Sequence, residues 1–204
     1  FTDYEMVQAE TRWVRNTDTY NPAETTTIRV FNNYFGGSMG SLVFQTIRES
    51  KALAYSTYGF YKIPTKKEDK YYMLSYVGAQ ADKFQEAVAA MNELLTTMPE
   101  LPANFELAKE QLKKDIQTER ITQDDIIYDY LNAQRLGLKE DIRKSVYQNV
   151  DKITFKDIQA FHDKYLSKKP YTYVILASEK KLPQAELQKI GEFKKLSLEE
   201  LFGF

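Results

Sequence analysis

Cysteine is absent from the 204 residues, and histidine occurs once, at His162. The first absence excludes disulfides and thiol nucleophiles and leaves the redox compartment open. The second bears on metals and on acid–base chemistry. A hydrolytic zinc site takes three protein ligands, most often with more than one imidazole. The HxxEH pattern that supplies two of them together with a general base does not occur. Serine-type catalysis would draw on the same lone histidine, and there is no Gly-x-Ser-x-Gly elbow. Charge of one sign is lacking as well: 28 basic and 29 acidic side chains leave a net −1. That balance carries no footprint for nucleic acid. No apolar run approaches the roughly 18 residues of a membrane-spanning helix, so no membrane insertion is expected of this segment.

What is present is the composition of an ordinary globular domain, 43% apolar and 28% charged. A chain of this length buries roughly 70% of its unfolded surface without a metal or disulfide staple. No repeat, low-complexity tract or linker divides it, so residues 1–204 read as a single domain. Starting at Phe1 with neither methionine nor a signal-like segment, the sequence reads as a piece excised from a longer chain, with any address signal upstream.

Periodicity gives an order of elements. Alternation around Trp13 predicts a strand over Tyr4–Tyr20. In Asn-Pro-Ala-Glu, Asn21 is a cap, Pro22 suits the first helical position and Glu24 stands where a capping-box acid belongs. The helix that follows runs to about Tyr34 and stops at Gly36 and Gly37. Ser41 opens a second helix carrying Leu42, Val43, Phe44 and Ile47. Two aromatic strands, AYSTYGFYKI and KYYMLSYVGA, are joined closely enough to pair antiparallel. From Asp82 the pattern turns helical through Val150, and Thr154 with Asp157 forms a capping box for a further helix. YTYVILAS is a continuous apolar run of the kind found in buried central strands. A helix and a closing segment fill the tail from Leu182. The fold class is α+β, an antiparallel or mixed sheet packed against several helices.

Few residues rise above packing. His162 flanks the Ile158–Phe161–Tyr165 stripe and reads as a boundary residue. The glycines of GGSMG follow a helix rather than a strand and lack the P-loop lysine, so they read as a helix stop that lets the next helix pack closely. Asp115, Glu119, Asp124, Asp125 and Asp129 interleave with Lys113, Lys114 and Arg120, the pattern of a solvated face. Arg48 lies one helical turn beyond Phe44, where its stem can lie on the core and its guanidinium reach the rim. Tyr55 opens the next strand, on the face of Thr57, Gly59 and Tyr61 if that strand is regular. With 15 tyrosines in the chain, a tyrosine on a strand needs no special explanation, and surface arginines are common.

One passage is more specific. NNYFGGSMGSLVFQTIRESKALAYSTYGFY resembles the C-terminal, non-catalytic domains of the pitrilysin/insulinase zinc metallopeptidases, which include mitochondrial processing peptidase and insulin-degrading enzyme. The matching positions are Gly36, Gly37, Ser41, Leu42, Ile47, Arg48, Glu49, Leu53, Ala54, Tyr55 and Ser56. Weaker likeness continues through FELAKEQLKKDI, ITFKDIQAFHDKYL and YTYVILAS. Two positions depart from the pattern: Ala52 stands where glycine is frequent, and Leu42 or Val43 takes the place of an arginine.

The resemblance implies one half of a clamshell whose opposing, homologous half carries the zinc, on the same parent chain or a separate subunit. This domain then binds no cofactor and no metal itself. It also implies a substrate-binding pair: Arg48 holding the main chain of an extended peptide and Tyr55 assisting catalysis at the scissile carbonyl. The peptide is expected to pair with a sheet edge. The domain alone is expected to be inactive. A structural or assembly module with no proteolytic role is the alternative, and an independent metal-dependent hydrolase would require zinc bound by this chain.

Overall fold

The computed structural model describes residues 1–203. Five strands form one mixed sheet: β1 Thr2–Asp3, β2 Gln8–Thr19, β3 Ser56–Lys62, β4 Lys70–Gln80 and β5 Thr172–Ala177. Their spatial order is β1-β5-β2-β4-β3. The short β1 runs parallel to β5, and every other pairing is antiparallel. β2 begins at Gln8, four residues later than the alternation predicts. The expected antiparallel pair is β3 and β4, in register from Ser56 opposite Gly78 to Lys62 opposite Tyr72.

The pleat sorts side chains onto two unequal faces. Ala9, Thr11 and Trp13 of β2 are buried, as are Thr57 and Tyr61 of β3 and Tyr71, Met73, Ser75, Val77 and Ala79 of β4. These meet the helices. α1 (Thr25–Phe35) contributes Ile28, Phe31, Tyr34 and Phe35, and α2 (Phe84–Thr96) contributes Phe84, Val88, Met91 and Leu95. α3 (Pro102–Thr118) supplies Phe105, Ala108 and Leu112, and α6 (Phe155–Tyr165) supplies Ile158, Phe161 and Tyr165. Each buried Val, Leu, Ile, Phe or Met among them stabilises the fold by about 1.5–3 kcal/mol relative to exposure. α4 (Gln123–Arg135), α5 (Ile142–Asn149), α7 (Gln184–Leu187) and α8 (Leu198–Phe202) complete the chain, and no residue of α4 or α8 is buried.

Local signals explain where helices start. Asn21 accepts from the Ala23 N–H, and Thr154 and Asp157 close the predicted capping box. Glu24 does not act as a capping-box acid. Its carboxylate instead accepts from the Tyr165 hydroxyl at 3.0 and 3.1 Å and faces Lys164, so a long-range contact outcompetes the local one.

Two expectations change. β5 is an inner strand, but Thr172 and Val174 are exposed because helices cover only one face of the sheet. A continuous apolar run does not reveal that one of its two faces is left open. His162 is fully buried rather than at a boundary. It lies among Phe31 and Phe35, with Nε2 3.1 Å from the Leu94 carbonyl. The buried stripe of α6 is one position wider than the spacing of its apolar residues indicates.

Among the described residues, no helix is long and apolar enough to cross a membrane.

Candidate functional site

The site is set by how α1 ends. A Cβ on Gly36 would lie 2.3 Å from the Gly59 nitrogen, and one on Gly37 would lie 2.8 Å from the Asn32 carbonyl oxygen. Absence of side chains there lets α1 press its end against β3. The Gly59 N–H donates to the Gly36 carbonyl at 3.3 Å. One turn earlier, the Asn32 amide accepts from the Tyr61 N–H at 2.8 Å and donates to the Tyr61 carbonyl at 3.1 Å. Asn32 therefore pairs with the outer edge of β3 much as a neighbouring strand would. The β3 edge beyond Tyr55 is thus already occupied at Gly59 and Tyr61.

Beyond the glycines, the Ser41 hydroxyl donates to the Ser38 carbonyl at 2.6 Å, and Asn104 donates to the Gly40 carbonyl at 3.1 Å. These bonds hold the turn from which the second helix starts. Leu42, Val43 and Ile47 anchor that helix in the core. From Phe44 to Ser50 it is wound as a π-helix, and the Lys51 N–H reaches back five residues to the Thr46 carbonyl. Such wide turns are rare and recur at functional sites.

Arg48 and Tyr55 come together at the end of this segment. The guanidinium carbon of Arg48 lies 4.8 Å from the Phe44 ring centroid and 6.0 Å from that of Tyr55. Glu49 is its nearest acid, at 3.7 Å. The Arg48 guanidinium therefore lies over the Phe44 ring one turn back. Tyr55 sits at a bend just before β3, its N–H bonded to the Gly78 carbonyl at 2.9 Å. Its side chain is 75% exposed, whereas Thr57, Gly59 and Tyr61 are buried. Tyr55 thus does not share their face, because the chain turns before the strand is regular. Ala52, in the turn between Arg48 and Tyr55, has φ +50°. That is the left-handed region where glycine is at ease and other residues are strained. The position at which glycine is frequent in the resembled family is one that asks for glycine here.

No group of three or more His, Cys, Asp or Glu side chains that could hold a metal ion occurs among the described residues. The residues present do not fit a zinc ion. Of the acids noted in the sequence, Glu119 and Asp129 converge with Asp141 on Arg143, at 3.1, 2.7 and 2.5 Å. Asp125 closes a capping box with Thr122. The Arg143 hydrogen bonds hold the Asp141 carboxyl below its usual range.

The open face of the sheet was not singled out from the sequence. It carries Arg12, Tyr76 and Tyr58 side by side across β2, β4 and β3. A readable signal exists: β3 and β4 bear aromatic residues at both parities, more than one buried face needs.

Residues 5–112, just over half the chain, match the family described as the peptidase M16 inactive domain. The chain belongs to that family. The inactive domain is 37% identical over 87 residues to the uncharacterized zinc protease YmxG of Bacillus subtilis, an alignment covering 41% of this chain and 20% of YmxG. Among solved structures it is similar to the peptidase M16 inactive domain from Pseudomonas fluorescens, with TM-score 0.72 and 14% identity over 87% of this chain and 42% of that one. It is also similar to the inactive peptidase domain of a Bordetella parapertussis protein, with TM-score 0.67 and 12% identity over 85% of this chain and 92% of that one. At these identities the structures speak for the shared α+β fold. The chain spans less than half the length of YmxG and of the Pseudomonas chain.

Proposed function

We propose that this inactive M16 domain completes the substrate chamber of a zinc protease whose metal is held by a homologous partner domain, on the same chain or a separate subunit. The observation that carries the reading is the meeting of Arg48 and Tyr55 at an exposed bend. Arg48 lies over the Phe44 ring and near that of Tyr55 yet is only loosely paired with Glu49, so among the described residues its N–H groups are open to the carbonyl oxygens of an extended peptide. Tyr55 presents a phenol hydroxyl that can donate to an oxyanion developing at the scissile carbonyl.

The test is reconstitution. Adding this domain to the zinc-bearing half should restore peptide cleavage, with neither part active alone. Tyr55→Phe should lower turnover roughly tenfold to a thousandfold, the scale of losing one transition-state hydrogen bond. Equal turnover in wild type and Tyr55→Phe would remove the catalytic role.

A purely structural or assembly module is the second reading. The exposed Ile126, Ile127, Tyr128 and Tyr130 of α4 favour it, as a surface another protein could cover. Under that reading Arg48 and Tyr55 are dispensable.

A further inference from the structure

Across the open face of the sheet runs a continuous row of rings with a cation at each end. The Arg12 guanidinium carbon lies 5.2 Å from the Tyr76 centroid, and Tyr76 stacks on Tyr58 at 4.9 Å with 22° between planes. Tyr58 meets Phe60 at 5.5 Å, and the Lys62 ammonium stands 5.1 Å from the Phe60 ring. The row is diagonal. Arg12, Tyr76 and Tyr58 are direct cross-strand partners, and Phe60 and Lys62 follow along β3.

Arg12, Tyr76 and Tyr58 stand on the face opposite the helices, with Tyr76 itself buried between its two neighbours, whereas Phe60 at the sheet edge also reaches the end of α1, 3.1 Å from where a Cβ of Gly37 would stand. Among the described residues, neither the Tyr58 nor the Tyr76 hydroxyl has a hydrogen-bond partner. Gly78, beyond Tyr76 on the same face, leaves room for the Tyr76 hydroxyl, which lies 2.6 Å from where a Cβ would stand. Gly78 also accepts the Tyr55 N–H, so the row starts beside the proposed rim site.

We propose that this row is a side-chain subsite for an extended acidic peptide carrying an aromatic residue between two carboxylates. The proposal rests on the peptide-binding reading above and names the substrate class. Charge complementarity chooses the occupant. Arg12 is only loosely held by Glu10, at 3.9 Å, and Lys62 has no acidic partner among the described residues. Both ends of the row are therefore positive, and between them the half-exposed rings of Tyr58 and Phe60 offer aromatic contact. Two inter-strand spacings and four residues of strand separate Arg12 from Lys62, a diagonal of about 16 Å. Acids four residues apart on an extended peptide span about 13 Å on one face, within reach of long basic side chains, with the ring midway.

The test uses this chain and labelled Gly-Asp-Ala-Phe-Ala-Asp-Gly in fluorescence anisotropy. Binding should weaken at least tenfold when lysine replaces both aspartates or alanine replaces the phenylalanine. Tyr58→Thr keeps a strand-forming residue at a half-buried site and should weaken binding at least fivefold while circular dichroism shows the chain still folded, its melting temperature lowered only by the lost ring pair. The double variant Arg12→Glu, Lys62→Glu should prefer the lysine-flanked peptide. Equal affinity for the two flanked peptides overturns the proposal. So does a concentration-dependent dimer of this chain that Tyr58→Thr dissolves, since a second copy would then be the occupant. No catalysis enters these measurements, so an inert Tyr55→Phe would refute the catalytic role without touching this result.

Discussion

Gly36 and Gly59 meet backbone to backbone, the N–H of one strand residue donating to the carbonyl that ends α1. A methyl group at position 36 has no route around this contact, because the atoms it meets are main chain. Gly36→Ala should therefore force α1 away from β3 and loosen the Asn32–Tyr61 pairing beside it. The expected loss is about 1–3 kcal/mol, the range for overpacking. Urea denaturation measures it, with Gly191→Ala, where an added Cβ meets nothing within 4 Å, as the control. Equal midpoints for the two variants would show that the contact relaxes freely.

Ala52 offers the opposite sign. Its φ of +50° costs an alanine about 1–2 kcal/mol. Glycine removes that strain but adds about 0.4–1 kcal/mol of unfolded-state entropy. Ala52→Gly should thus stabilise the domain by about 0.5 kcal/mol net. A small rise in melting temperature is the expected readout, and a fall would mean that the turn carries no strain.

His162 links stability to pH. Burial, chiefly, lowers its pKa below the usual histidine value, against the opposing pull of Asp163 3.7 Å from Nδ1, and among the described residues that buried Nδ1 has no partner within hydrogen-bond distance. The folded state therefore favours the neutral ring, with Nε2–H donating to Leu94. Its contribution is fully present above the unfolded pKa of about 6.5 and declines as pH falls from there toward the folded value. Unfolding free energy should drop between about pH 6.5 and 5, before the carboxylates titrate. In His162→Gln, whose amide can still donate to Leu94, that slope should flatten. A slope that survives the substitution would assign it to other groups.

Legibility followed the range of the interaction. Local signals read well: the Asn21 cap, the Thr154–Asp157 box, the Gly36 stop and the β3–β4 pair stand where the sequence puts them. The family was readable from the same stretch, because its glycines and its Arg48–Tyr55 spacing are themselves local. What stayed hidden depends on contacts far along the chain. Glu24 turns to Tyr165, His162 reaches Leu94, and Asn32 occupies the β3 edge. The π-winding of Phe44–Ser50 has no signature in hydrophobic spacing, since apolar residues three and four apart suit either winding. The aromatic row needed the register of three strands before Arg12 could be set beside Tyr76 and Tyr58.

Arg143 governs the attachment of α4. No residue of that helix is buried, so tertiary packing contributes little to it. Its side-chain anchor is the Asp129 carboxylate, 2.7 Å from an Arg143 guanidinium that also binds Glu119 and Asp141, and at its end the Arg135 carbonyl accepts from the Lys67 N–H at 3.1 Å. Ile126 and Tyr130 line a cavity of about 550 Å³ together with Arg29 and Arg143. The cluster therefore closes over space rather than over a packed core. In Arg143→Ala the three acids would face one another without their cation. Amide exchange across Gln123–Arg135 should then rise at least tenfold, while α6 in the core keeps its protection. Arg143→Lys should restore only part of it, because an ammonium cannot present the guanidinium's planar fork to several carboxylates at once. Raising salt toward 1 M, where the Debye length is about 3 Å, should move wild-type α4 in the same direction but less far, since the pairs are in direct contact. Unchanged exchange in Arg143→Ala would transfer the anchoring role to Ile126 and Tyr130, and Ile126→Ser would then be the variant that frees the helix.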